Sequence, residues 1–219
     1  MAEYRGKNKH REAHPKIVVW SHTKKAEIEY FQGFKNYLQT PLLVPRKDIH
    51  WKPQDLLDAV AEWKRNPENI CEKDGDQVWC VFDVDDFFKD SQDELLQAVK
   101  TARNNNIKIA YANECFEFWI LLHFKRTSAQ IKRGSEIEKE IQKEFKKNGL
   151  REFKKNQKVF DILLPFQEQA IENARILFPS NYEKIDWTKV LSEKGNPSTN
   201  MHLLVEEINH LFGSDKNNI

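Results

Sequence analysis

The stretch that most constrains the fold of this 219-residue chain is an apolar run that ends on carboxylates, Val78 to Phe87 (VWCVFDVDDF). A short apolar run bounded by polar residues is typical of a buried β-strand. Because side chains alternate along a strand, Asp83 and Asp85 are expected to leave on the same side. Two carboxylates at the end of a buried strand are costly unless something neutralises them.

A hard divalent cation such as Mg²⁺ would neutralise this pair, because it prefers oxygen ligands. The carboxyl ends of strands are also where open α/β sheets keep their binding sites. The Asp-x-Asp pattern therefore predicts a metal site at Asp83 and Asp85. The alternative interpretation is that Asp83, Asp85 and Asp86 only open a loop and cap the next helix.

The composition favours a globular protein from a reducing compartment. Hydrophobic residues make up 39% of the chain, enough to bury a core. The three cysteines are odd in number and lack metal-ligand spacing. The polar N-terminus does not resemble a signal peptide, and the longest apolar stretch, Phe118 to Leu122, is too short to cross a bilayer. These features predict a cytoplasmic protein that does not enter the membrane.

Strand and helix patterns alternate four times before residue 113. Strands are predicted over 16–21, 42–44, the run that begins at Val78, and 107–112. This alternation predicts an α/β fold with a mainly parallel four-stranded sheet and crossover helices. The loops after the first, third and fourth strands would then share one edge of the sheet; they hold His22 to Glu27, Asp83 to Asp86, and Asn113 to Glu117.

The pattern after residue 113 is helical. Cys115 to Phe124 is apolar all round and predicts a buried helix, in which Glu117 is either a site residue or half of a structural ion pair. His123 is interpreted as a satisfied, half-buried histidine. Further helices are predicted over 135–147, 165–179 and 200–213, the last after a turn and cap at 196–199.

Three parts of the chain follow from this pattern. Residues 1–15 are predicted to form a basic N-terminal tail, and residues 16–124 the α/β domain. Residues 125–219 are predicted to form a helical C-terminal region that packs on that domain.

Charge is distributed unevenly along the chain. Residues 71–97 carry a net charge of −7, and residues 124–158 a net charge of +7, although the whole chain is only +1. A cation site beside a surface for a polyanion would explain this asymmetry, with nucleic acid bound by Lys143, Lys146, Lys147, Lys154 and Lys155. A solvated pair of charged helices is the alternative.

Four segments, taken in order, resemble the RloB family: IVVWSHTKKAEIEYFQGF, VWCVFDVDDF, NECFEFWILLHF and NPSTNMHLLVEEI. RloB proteins are grouped with the Toprim superfamily of metal-dependent domains. The resemblance implies a Toprim-type nuclease effector of the abortive-infection kind in bacterial anti-phage defence, working with an ATPase partner of the AAA or ABC type. It also implies that Asp83 and Asp85 bind Mg²⁺ or Mn²⁺.

The first motif departs from the family pattern. The family carries Glu-Gly after the first strand and then a Thr-Glu pair, whereas this chain has His22 and, five residues on, Glu27. Glu27 matches the second acidic position and would join the metal site. Imidazole can act as a base but is a poorer Mg²⁺ ligand than a carboxylate. Either Glu27 takes over, or the metal is a softer one such as Mn²⁺, or catalysis is lost.

An active site of this composition would hydrolyse phosphodiester bonds with metal assistance. His22 or Glu27 would serve as the general base, and Asp86, Asn113 and Glu117 could support the site. The substrate could be DNA or RNA. The alternative function is a catalytically impaired Toprim-like subunit that binds nucleic acid or the partner ATPase.

Overall fold

A computed structural model of the chain describes residues 15–22, 25–48, 52–84, 92–113, 115–130, 134–154, 157–178, 181–192 and 195–213. The strands are β1 (Ile17–His22), β2 (Leu43–Asp48), β3 (Gln77–Asp83), β4 (Lys108–Asn113) and β5 (Ser198–Thr199). The helices are α1 (Lys25–Leu38), α2 (Pro53–Lys64), α3 (Gln92–Asn104), α4 (Glu117–Leu122), α5 (Gly134–Lys147), α6 (Phe160–Leu163), α7 (Gln167–Leu177), α8 (Trp187–Val190) and α9 (Met201–Phe212).

The sheet has the strand order β2-β1-β3-β4-β5. Strands β1 to β4 are mutually parallel, which confirms the predicted α/β fold and agrees with the Toprim-like architecture that the resemblance implies. From β1 the chain crosses to β2 on one side and then returns to β3 on the other side. The topological switch point therefore lies between β1 and β3, where open α/β sheets bind their ligands.

The fifth strand was not predicted, because its residues were assigned to a turn and cap. Ser198 and Thr199 instead pair antiparallel with Asn113 and Ala112 at the end of β4. Thr199 also donates a 2.6 Å hydrogen bond from its hydroxyl to the carbonyl oxygen of Tyr111. A two-residue strand is too short for alternation to reveal it, so only the tertiary pairing identifies it.

Several element boundaries also differ from the prediction. Strand β2 continues through Pro45 to Asp48, beyond its predicted end. Proline is tolerated there because β2 is an edge strand, and no neighbouring strand needs a hydrogen bond on its outer side. The helix predicted over 165–179 corresponds to α7, which begins at Gln167 after a 3₁₀ turn that contains Pro165; the short α6 before that turn was not predicted. Helix α4 is shorter than predicted, but all six of its residues are buried as expected.

Two hydrophobic cores cover the two faces of the sheet. Odd-numbered residues of β1 and β3, such as Val19 and Val81, pack with α1, α4, α5, α6, α7 and α9 on what we call the α1 face. Even-numbered residues, such as Val18 and Cys80, pack with α2, α3 and α8 on the α2 face. The helices after β4, except α8, thus share one core with α1 and the sheet. None of the described helices is long and apolar enough to cross a membrane.

Candidate functional site

The carboxyl end of β3 places Asp83 beside the switch point. Ser21 of β1 is the register partner of Val81, so Asp83 lies two residues further along the neighbouring strand. Asp83 is the last residue of β3, and only 3% of it is exposed. It shares the odd-numbered positions of Trp79 and Val81, whose side chains belong to the α1 face. The candidate site is therefore built on that face.

Helix α1 brings a second carboxylate to the same face. It begins at Lys25, soon after β1 ends, and Glu27 lies in its first turn. Glu27 is fully buried, and residues three and four positions later, Tyr30 and Phe31, belong to the α1-face core. Glu27 and Asp83 therefore occupy the same face, near the carboxyl ends of adjacent strands. Burial of two acidic groups in one region requires compensating charge or hydrogen bonds.

Ser21 is a candidate site residue that was not singled out from the sequence. It is fully buried at an odd-numbered position of β1, and its hydroxyl oxygen makes no hydrogen bond to any described residue. Buried polar atoms are normally paired, so an unpaired hydroxyl at this edge suits a site that takes an additional group. The signal was present in the alternation of Ile17, Val19 and Ser21, which puts a polar residue where the core pattern predicts an apolar one.

The oxygen donors of Ser21, Glu27 and Asp83 suit a hard cation such as Mg²⁺ or Mn²⁺ in kind. Asp85, which the sequence assigned to the metal site, and Asp86, which was predicted to support it, lie outside the described residues. His22 is the last residue of β1, and its backbone pairs with that of Asp48. The side chain of His22 lies outside the described part of the structure. Among the described residues, no group of three or more His, Cys, Asp or Glu side chains is arranged to hold a metal ion.

Further buried polar residues lie at the end of β4 and at the beginnings of α4 and α9. Asn113 donates a 2.9 Å hydrogen bond from its side chain to the carbonyl oxygen of Val190, so that donor connects β4 to α8. Glu117, the first residue of α4, is 5% exposed, and both of its predicted roles remain open. His202, which was not singled out from the sequence, is fully buried in the first turn of α9, directly after β5.

His123 lies deeper among the helices than predicted, because it is fully buried rather than half-buried. Its Nδ1 atom lies 2.9 Å from the carbonyl oxygen of Trp119, so Nδ1 carries the proton that it donates. Burial lowers the pKa of His123 to about 4, and burial raises the pKa of the neighbouring Tyr30 to about 12. Both groups are therefore neutral at pH 7 and belong to the core.

The basic residues are partly neutralised within α5. Lys143 pairs with Glu140 at 2.5 Å, and Lys147 pairs with Glu144 at 3.2 Å. Lys146 and Lys154 are exposed and form no ion pair with the described residues, whereas Lys155 lies outside them. The predicted contact with nucleic acid remains a prediction. Of the predicted lysines, Lys146 and Lys154 have charges that no described residue neutralises.

The fold and the site define an α/β protein with a mainly parallel sheet and buried carboxylates at its switch point. A family model described as RloB-like protein matches residues 17–208, which include Ser21, Glu27, Asp83 and His202. The chain therefore belongs to the RloB-like family, as the four motifs predicted. No curated protein and no solved structure matches the chain.

Proposed function

We propose that this protein is a metal-dependent nuclease that hydrolyses phosphodiester bonds of DNA or RNA at the carboxyl edge of β1 and β3. The observation that carries the proposal is the burial of Glu27 and Asp83 on one face of the sheet at the switch point. Ligand sites of open α/β sheets form in this position. Membership of the RloB-like family and the implied Toprim relationship support the same reaction class.

Asp83 and Glu27 would hold the cation, together with Asp85 from the same Asp-x-Asp pattern. A bound Mg²⁺ or Mn²⁺ would neutralise these carboxylates and supply Lewis-acid activation of phosphate and water. The hydroxyl of Ser21 would orient one carboxylate or one phosphate oxygen by a hydrogen bond. Glu27 or His22 would accept the proton of the attacking water.

Exposed lysines would bind the rest of the substrate through its phosphate backbone. Lys146 and Lys154 form no described ion pair, so they can contact phosphates without first breaking one. These contacts carry no sequence information, and they would serve DNA and RNA alike. The proposal extends to a role in anti-phage defence with an ATPase partner, which rests on the family resemblance.

A second candidate function is a catalytically impaired subunit that binds nucleic acid or the partner ATPase. One observation favours it: His22 stands where the family carries an acidic residue. Incubation of the purified protein with plasmid DNA and with total RNA, in Mg²⁺ and separately in Mn²⁺, distinguishes the two functions.

The nuclease proposal predicts cleavage of at least one substrate, and Asp83→Asn should abolish it. Asp58→Asn is the matched control, because Asp58 is an exposed carboxylate on α2 and far along the chain from the site. If the wild-type protein cuts nothing, alone or with its ATPase partner, the binding-subunit function replaces the nuclease function.

A further inference from the structure

An arginine on the edge strand β2 packs against a pair of tryptophans that contact each other. The guanidinium carbon of Arg46 lies 5.3 Å from the ring centroid of Trp20 and 4.8 Å from that of Trp63. The two indole rings are themselves 5.5 Å apart and nearly perpendicular. Both distances are within the range of cation–π attraction. We call these three residues the Arg46 clamp.

The clamp is fixed by the sheet. Trp20 and Arg46 are register partners across β1 and β2, and each lies two residues before the carboxyl end of its strand. Trp63 comes from the last turn of α2 and packs on the α2 face. Three regular elements therefore determine where the guanidinium group lies, and little conformational entropy remains to be lost when it binds a ligand.

The guanidinium group of Arg46 has hydrogen-bond donors that no described residue uses. Arg46 forms no hydrogen bond and no ion pair with any described residue; its Nε atom is buried and has no hydrogen-bond partner. The two terminal nitrogens also lack a hydrogen-bond partner among the described residues but, unlike Nε, they are not buried, so they are accessible to solvent. By comparison, the side chains of Arg65 and Arg175 are paired with Glu62 and Glu206.

The chemistry of such a group is specific. A planar guanidinium with two free terminal nitrogens matches the oxygens of a phosphate in a bidentate arrangement. Cation–π contact with the two indole rings restrains the guanidinium group without neutralising its charge. A carboxylate in the same place would have made a structural ion pair, and none of the described residues supplies one.

We infer that the Arg46 clamp binds a backbone phosphate of the nucleic acid whose neighbouring nucleotides enter the carboxyl edge at Asp83. This inference rests on the proposed function and assigns part of the substrate path. The clamp lies on the α2 face and Asp83 on the α1 face. The nucleic acid would therefore pass over the carboxyl edge of the sheet, which lies two strand residues, or roughly 7 Å, beyond the clamp. Phosphate contacts of this kind position a substrate without reading its sequence.

The test uses the full chain in EDTA, so that binding is measured without cleavage. The probes are fluorescein-labelled single-stranded DNA and RNA oligonucleotides of mixed sequence, followed by anisotropy at several salt concentrations. Arg46→Met should weaken binding of at least one probe about tenfold, the equivalent of one charge-assisted contact, and lower the salt slope by about one. Arg46→Lys, which keeps the charge but loses the planar fork, should be intermediate.

Arg175→Met is the matched control, because it removes an arginine that is already paired on α7, and its affinity should stay within about twofold of wild type. Trp63→Leu provides a second variant, in which Arg46 keeps its charge but loses one ring; weaker binding is again expected. Thermal melting of each variant checks that it is folded. Equal affinity of folded Arg46→Met and wild type overturns the clamp, as does a wild-type protein that binds neither oligonucleotide in EDTA.

The outcomes separate this inference from the nuclease function. Loss of oligonucleotide affinity in Arg46→Met supports the clamp even if no metal supports cleavage, and in that case only the nuclease function fails. Metal-dependent cleavage with unchanged affinity in Arg46→Met leaves the nuclease function standing and removes the clamp. If Arg46→Met instead loses only binding to the ATPase partner, the clamp is a protein contact and the inference is wrong.

Discussion

The side-chain oxygen of Asn200 accepts a 2.7 Å hydrogen bond from the backbone N–H of Tyr111. The same amide donates a second hydrogen bond, also 2.7 Å long, to the carbonyl oxygen of Ile109. Asn200 thereby continues the pairing of β5 with β4 through its side chain, just before α9 begins. The last of the four family motifs thus attaches α9 to the sheet.

Replacement of Asn200 by Ala should destabilise the protein by about 2–4 kcal/mol, because both backbone groups of β4 would be left buried and unpaired. Urea denaturation measures the change in the free energy of unfolding. Asn36→Ala is the matched control, since Asn36 is exposed and bonds only Gln32, and it should cost less than about 0.5 kcal/mol. A loss below about 1 kcal/mol in Asn200→Ala would contradict this role.

His123 predicts a pH dependence of stability. Burial lowers its pKa to about 4, below the value of 6.5 for a free histidine, so the unfolded chain binds more protons between these two pH values. The stability contributed by neutral His123 is complete above pH 6.5 and is lost as the pH falls from 6.5 towards 4. Its slope approaches about 1.4 kcal/mol per pH unit within that window.

The measurement compares urea denaturation of wild type and His123→Asn at pH 4.5 and pH 7. Asparagine can retain a hydrogen bond to the Trp119 carbonyl but does not titrate, so the variant should lose less stability on acidification. His210→Asn is the control at an exposed position. If both variants changed the pH dependence of the free energy of unfolding equally, that dependence would not come from the buried His123.

The lysines should differ in their effect on nucleic-acid binding. Lys146→Glu and Lys154→Glu remove charges without described partners, so each should weaken oligonucleotide binding at low salt and reduce the salt slope by about one. Lys143→Glu replaces a lysine that already pairs with Glu140 and should weaken binding less. Indifference of the affinity to all three changes would identify this surface as a solvated face or a contact for the partner protein.

His22→Glu tests the departure from the family pattern. A carboxylate at the end of β1 should supply a further oxygen ligand to the proposed metal site, so Mg²⁺ binding measured by calorimetry should tighten. Extra like charge should also lower the stability of the metal-free protein. His22→Gln is the neutral control. Identical Mg²⁺ affinity in wild type and His22→Glu would mean that residue 22 does not face the metal site.

The sheet could be predicted because each parallel strand carries its own signal. The apolar run ending at Asp83 and the helical spacing of Tyr30 and Phe34 both report burial on one side of one element. β5 could not be found in this way, since its two residues become a strand only through their pairing with β4. Local patterns are encoded in neighbouring residues, whereas this pairing joins residues that are 85 and 87 positions apart in the sequence.

The candidate site could likewise be predicted only where a local sequence pattern indicates the residue. Asp83 was proposed because it ends an apolar strand, and Glu27 because it matches the second acidic position of the family pattern. The sequence could not show that α1 buries Glu27 on the face to which Asp83 belongs. Ser21 was missed because the alternation with Ile17 and Val19 marks its position as buried but does not show that its hydroxyl is unpaired. His202 was missed because its helix reads as an ordinary apolar stripe, and only the attachment of α9 to β4 brings it near the edge.

Metal titration tests the joint role of Glu27 and Asp83 most directly. Calorimetry would follow Mn²⁺ and Mg²⁺ binding to wild type, Asp83→Asn, Glu27→Gln and the exposed control Asp58→Asn. We predict that the wild type and the control bind at least one of the two cations with the same affinity. Each site variant should remain folded and bind at least about tenfold more weakly, because one carboxylate ligand is gone. Unchanged affinity in both site variants, or no binding to the wild type, would contradict a metal site at this edge.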